Sequence, residues 1–339
     1  MKFKATRAPR GRLVRLGVVL DTRNTPRRVQ EVARMCDRAG LDALWVRDHL
    51  APVDGEPRLE AWMALCLASH ATTRARVGAH LTIAFRPPST LAAMAGTLDA
   101  AIGGRLELGL SAGWVAREHF MFGFDFPDEE TRASGLERYA RILRGLLAGD
   151  TVAVSGSHDA GEAELGVASP QPGGPPISVE ALSPPQMAIA ARVADDVVVP
   201  ADRASDIEAI AGRVRAACVE AGRDPATLGL SLEVPVSIGR TRAEAEARAD
   251  HESLFRTVGS PMEAGVFGTL EECQERVIQL AHAGVTDLRC ILPNSDDVHD
   301  VLAQLTAIAV GTTEILAPNA PRSKAPDPPE TWGGRSSRP

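Results

Sequence analysis

No stretch of this 339-residue chain approaches the roughly 20 consecutive apolar residues that a membrane span requires. The start, MKFKATRAPRGRLVRLGVVL, is basic and then apolar, but its apolar piece is only about six residues long and strand-like, too short for a signal-peptide core. The cysteines Cys36, Cys66, Cys218, Cys273 and Cys290 are odd in number and never at CxxC spacing, so neither a disulfide framework nor a zinc site is expected. No basic block follows the short start, and a net charge of −7 offers no footing for nucleic acid. There is no G-x-S-x-G elbow, no G-x-x-x-x-G-K-[ST] loop, and no G-x-G-x-x-G turn in VVLDTRNTP after the first apolar run. These absences set aside the plainest hydrolase, nucleotide-hydrolysing and dinucleotide-binding designs. They leave a cytoplasmic protein acting on a small molecule, with no membrane partner.

What is present is an alternation of short apolar runs with amphipathic helical stretches, the pattern of sequential βαβ units. VRLGVVL reads as a first strand and residues 25–39 as a helix, with Thr25 as N-cap, Pro26 in the first turn and Gly40 as the stop. LDALWV, ARVGAHLTIA and RLELGLS follow as strands, separated by helices over 61–71 and 89–101. The units recur at about 30 residues, the spacing of parallel strands with a crossover helix between them. Residues 148–176, rich in Gly, Ala, Ser and Pro, read as a surface insertion with a short hairpin. Regular units resume with ISVEAL, DDVVVP, LGLSLEVPVSI and DLRCILP, a total of about eight strands, as in a (β/α)₈ TIM barrel. The expected organisation is a basic extension over 1–13, one barrel domain over 14–317 and a disordered Pro-rich tail over 318–339.

Chemistry in such a barrel sits on the loops after the strand ends. Those loops carry Asp21, then Arg47-Asp48-His49, then Thr82 to Arg86, then Ser111 to Glu118, then Ser183-Pro184-Pro185. His49 is the one histidine at a strand end with an acid directly before it, and a histidine there can move a proton near neutral pH. His70, His158, His251, His282 and His299 fall on helices or in irregular segments. None forms an HxxxH or HxH pair with acids at ligand spacing, so a metal site is not expected.

Three segments carry a resemblance. WVRDH after the second strand, LDAAIGGRLELGLSAGW around the fourth, and GTLEECQERVIQLAHAGVTDL near the end resemble the luciferase-like monooxygenase superfamily, in its F420-dependent oxidoreductase type, over about residues 14 to 312. The resemblance implies a flavin or deazaflavin lying across the strand ends, with His49 beside its ring and Asp48 orienting His49 or lining the pocket. It places a non-proline cis peptide at His80-Leu81, with Thr82 adjacent, under the ring. Ser111, Ala112, Gly113 and Trp114 match the GxGW turn, where small residues let the backbone approach the cofactor. Trp114 stands where the sugar-phosphate dehydrogenases of the family carry a catalytic acid, which argues against such a substrate. Glu118 matches an acid frequent in the family. Glu180, Ala181, Leu182 and Ser183 replace the glycine-rich turn that holds the cofactor phosphate at a helix N-terminus in relatives.

The function implied is transfer of hydride from reduced coenzyme F420 to a C=C or C=N bond of a small molecule or modified peptide, with His49 supplying the proton. Two alternatives stand beside it. One is an FMN-dependent monooxygenase fed by a partner reductase; the other is a non-catalytic barrel that has lost its cofactor. The resemblance also implies a homodimer.

Overall fold

The computed structural model describes residues 13–52, 55–155, 160–181, 183–200, 206–251, 255, 265–293 and 301–308. Most of the N-terminal extension, the whole Pro-rich tail, Leu182, His158 and His299 lie outside the described residues. The first strand β1 (Arg15–Val19) leads into α1 (Pro26–Ala39). The Thr25 hydroxyl caps α1 by accepting from Arg28 N, and Gly40 ends it in the left-handed conformation at φ 80°. β2 (Ala43–Arg47), α2 (Ala61–His70), β3 (Arg76–Thr82), α3 (Pro88–Ala101) and β4 (Leu106–Ser111) complete the first half.

After β4 come the short α4 (Ala116–Met121) and the long α5 (Glu129–Leu147). The expected insertion then contains a two-stranded antiparallel hairpin of β5 (Val152–Ser155) and β6 (Ala160–Ala163). The second half runs through β7 (Ile177–Glu180), α6 (Pro184–Val193), β8 (Asp196–Val199), α7 (Ile207–Glu220), β9 (Gly229–Ile238) and α8 (Arg242–His251). It ends with β10 (Val266–Gly268), α9 (Leu270–Ala283), β11 (Asp287–Ile291) and a helical stretch over 301–308.

Strands β1, β2, β3, β4, β7, β8, β9 and β11 pair in parallel around a closed ring, since β8 joins β9 and β11 joins β1. This is the eight-stranded barrel expected from the sequence. β10, which the apolar runs do not reveal, is a three-residue strand added beside β9.

The strand register sorts the side chains into two sets. Leu16, Val18, Leu44, Val77, Leu108, Val179, Leu232 and Cys290 belong to the main apolar cluster shared with the helices. The alternate positions face the barrel interior, and many are polar. Arg15 pairs with Glu107 at 3.0 Å and with Asp287 at 3.1 Å, and Arg289 reaches Asp196 at 3.2 Å and the Ser178 hydroxyl at 3.2 Å. All these groups are buried. The Arg289 guanidinium lies 3.5 Å over the Trp45 ring.

Trp45 fills the barrel because glycines face it. A Cβ built on Gly78 would lie 2.5 to 2.8 Å from three Trp45 ring atoms, and one on Gly17 would lie 3.4 Å from Trp45 Cδ1. Gly78→Ala therefore overpacks the interior and lowers stability by about 1–3 kcal/mol. Thermal unfolding checks this; a Tm equal to that of the parent protein refutes it.

Candidate active site

The mouth of the barrel is built where β2, β3, β4 and β7 end. Asp48 and His49 follow β2, but they face different partners. The Asp48 carboxylate accepts from Thr82 N at 3.0 Å and binds Arg86 through Nη1 at 2.7 Å and Nη2 at 3.2 Å. Arg86 also donates to Glu60, the N-cap of α2. Burial raises the Asp48 carboxyl above its ordinary value, against the hydrogen bonds and charge of Arg86. Asp48 thus ties the β2 loop to the β3 loop.

His49 is oriented by Glu118 instead. The imidazole Nδ1 lies 3.3 Å from Glu118 Oε2, while Oε1 accepts from the backbone N–H of Leu50 and, at 2.9 Å, of Ala51. Burial works to raise Glu118, but His49 and the two backbone donors outweigh it and hold the carboxyl below its usual range. An ionised carboxylate only accepts, so the geometry assigns the proton to Nδ1 and leaves Nε2 as the exchangeable site. The Trp114 and His49 rings are perpendicular, with centroids 6.0 Å apart and an interplanar angle of 87°. Trp114 is 62% exposed.

Ser111 and Glu180 meet at the ends of β4 and β7, where the serine hydroxyl donates to Glu180 Oε2 at 2.5 Å. Ser111 Oγ also accepts from Gly113 N at 3.2 Å. Gly113 has φ 82°, and a Cβ there would lie 2.7 Å from His119 Cε1 and 3.1 Å from Thr82 Cγ2, so this turn requires glycine.

The remaining expected site residues divide. Thr82, Ser111 and Gly113 gather at the turn after β4, Trp114 next to them meets His49, and Ala112 lines a neighbouring cavity. Leu81 sends its side chain into the core shared with the helices. His80 is buried inside the barrel, with its ring against Gly109 and Nδ1 3.8 Å from Glu233 Oε1, and its Nε2 has no partner among the described residues. Glu180 turns toward Ser111 rather than along the start of α6. Ala181 is buried and its N–H donates to Val198 O at 3.1 Å. Ser183 stands at the N-cap position of α6, where its N–H donates to Gln186 Oε1 at 3.2 Å while its hydroxyl is buried without a partner among the described residues. The first residues of α6, Pro184 and Pro185, have no N–H, so this helix start offers an anion fewer donors than an ordinary one.

Two features lie beyond the residues anticipated from the sequence. Glu233, on β9, binds Arg47 at 2.5 Å; burial acts to raise its carboxyl, yet Arg47, His80 and Arg289 together hold it far below the carboxylate range. The second is a cavity of about 570 Å³ beside the ends of β3 and β4, lined by Ala112, His119, Arg132, Arg138 and Tyr139 among others. His119, 1% exposed, bonds Val115 O through Nδ1 at 3.0 Å, and its Nε2 is buried without a partner among the described residues. Phe85 and Phe126 flank its ring at 5.0 and 4.9 Å. Nothing in the spacing of these residues announces the cavity, because it forms only when α5 folds back over the β3 and β4 loops.

Among the described residues, no group of three or more His, Cys, Asp or Glu side chains could hold a metal ion, and no helix is long and apolar enough to cross a membrane.

The family model for luciferase-like monooxygenases matches residues 13–265. A 5,10-methylenetetrahydromethanopterin reductase of Methanolobus tindarius is 27% identical over 237 residues, which is 69% of this chain and 68% of that protein. An F420-dependent hydroxymycolic acid dehydrogenase of Mycobacterium tuberculosis is 30% identical over 219 residues, 63% of this chain and 60% of that protein. Among solved structures, an F420-dependent secondary alcohol dehydrogenase in complex with an F420-acetone adduct superposes with a TM-score of 0.76. It is 19% identical and aligned over 88% of this chain and 99% of that one, a likeness of fold.

Proposed function

The chain belongs to the luciferase-like monooxygenase family, and from that premise we propose that it is an F420-dependent oxidoreductase, in which His49 handles the proton that accompanies each hydride. The observation that carries this reading is the His49–Glu118 pair, held beside the glycine turn at the end of β4 and walled by Trp114.

The residues present fit a deazaflavin. Ser111, Ala112 and Gly113 leave the backbone bare at the mouth, and the unpartnered His80 Nε2 lies below it. The neighbouring cavity offers Arg132 and Arg138 to an anionic side chain. That cavity supplies what the proline-blocked start of α6 does not. When bound, the coenzyme supplies a two-electron hydride donor or acceptor.

The chain's own residues do the rest. The buried walls of the barrel interior lie beneath the site, and Trp114 borders its open side. Glu118 holds Nδ1–H and so fixes the ring with Nε2 available. Nε2 can then give a proton to, or take one from, a substrate atom within hydrogen-bond reach. Asp48 and Arg86 clamp the loops that carry these groups.

Titration of the purified protein with F420 and, separately, FMN, followed by fluorescence, tests the proposal. Micromolar binding of F420 is expected. Binding of FMN alone, or of neither, refutes it.

A further inference from the structure

The mouth has a charge balance that bears on its substrate. Arg47 is matched by Glu233, Arg86 by Asp48 and Glu60, and His49 by Glu118. Glu180 is different: it ends β7 half-buried, in register with the inward-facing Val198 of β8, and its hydrogen-bond partner among the described residues is the neutral Ser111 hydroxyl. With no cation paired to it among the described residues, such a carboxylate in a partly closed mouth costs free energy that a bound cation would recover. A second, independent feature points the same way. Trp114 is joined to that serine through the Gly113 turn and leaves most of its indole uncovered beside His49. An open indole face attracts cations through its quadrupole, and the cations best recognised this way are substituted ammonium and iminium groups.

We propose that the site takes a cationic substrate, an iminium ion or a protonated imine, held between the Glu180 carboxylate and the face of Trp114. The inference rests on the deazaflavin reading for its chemistry, but not for its binding. The substrate carbon takes the hydride from the reduced coenzyme, which is thereby oxidised by two electrons, and the C=N π pair moves onto nitrogen. An iminium ion becomes a neutral amine with no further proton needed. A neutral imine is first protonated at nitrogen by His49 Nε2. The coenzyme releases one proton to solvent on oxidation, and His49 recovers one. Glu180 stabilises the cation that accepts the hydride, so it acts as a specificity-determining residue and does not exchange protons.

Ligand-detected NMR titration with choline and its neutral carbon isostere 3,3-dimethylbutanol reads the site without turnover. The protein is expected to bind choline about tenfold more tightly than the alcohol, and Glu180→Gln or Trp114→Ala to remove about that factor for choline alone. Gln at 180 still accepts from Ser111, and a matching thermal melt shows that the fold is kept. Equal affinity for the two probes, or unchanged choline binding in Glu180→Gln, overturns the proposal. A protein that prefers choline but binds no F420 would uphold this inference while refuting the proposed function; one that binds F420 without preferring choline would do the reverse.

Discussion

With a neutral imine or another substrate that must gain a proton, His49→Ala lowers turnover by about 100-fold or more, with F420 affinity changed little, because the variant loses the group that moves the proton and keeps the walls that hold the ring. Steady-state kinetics with reduced coenzyme, together with a fluorescence titration of the same variant, reads both quantities. The loss should fall on kcat, since His49 is engaged when the proton is in flight rather than when substrate docks. Glu118 gives the control. Its two oxygens do separate work, one on His49 and one on the backbone N–H groups of Leu50 and Ala51, and glutamine has only one oxygen to accept with. Glu118→Gln is therefore expected to slow turnover through the pose of His49, and to add little once His49 is already alanine. Full turnover in His49→Ala removes the imidazole from the reaction. Additive losses in the double variant would instead give Glu118 a role independent of His49.

The barrel and half of its mouth are legible in the sequence for one physical reason: the information is local. Thr25 and Gly40 bracket α1, and LELGLS and DLRCI carry the apolar phase of their strands openly. The polar phase of the same strands is harder to read. Alternation of Arg15, Glu107, Asp287 and Arg289 with leucines resembles a sheet with one wet face, and only closure of the ring turns that face into a buried interior. His49 and the SAGW turn stand out because their chemistry and spacing are contiguous. Their supports do not, since Glu118 lies 69 residues from His49, Arg86 lies 38 from Asp48, and Glu233 lies 186 from Arg47. Glu180 is visible in the sequence as an acid at the end of a strand. That its side chain turns to Ser111 depends on the pairing of β4 with β7, which spans the whole insertion.

The buried interior predicts its own large effect. Arg289 is 1% exposed, it bonds Asp196 and Ser178, and it stacks on Trp45. Arg289→Ala strips a cation from among Asp196, Asp287 and Glu107, and breaking a buried pair from one side costs about 3–5 kcal/mol. For a domain of this size that is a fall in Tm of roughly 10 °C. The deficit should depend on pH. Burial, reinforced by Asp287 and Glu107 and opposed by Arg289 and Ser231, pushes the Asp196 carboxyl up to about 7 from an ordinary 3.8. The folded state thus keeps a proton that the unfolded chain releases. The stability this contributes is fully present below about pH 4 and is lost as pH rises through 7. Without Arg289 the ionised form has less to hold it, so the variant's deficit at pH 8 should exceed that at pH 5. Asp196→Asn in the same background removes the uncompensated charge and should recover part of the loss at pH 8, with little recovery at pH 5. Thermal unfolding of the two variants at both pH values decides it. A deficit that does not change with pH would mean that Arg289 supports the barrel by stacking on Trp45 rather than by balancing its acids.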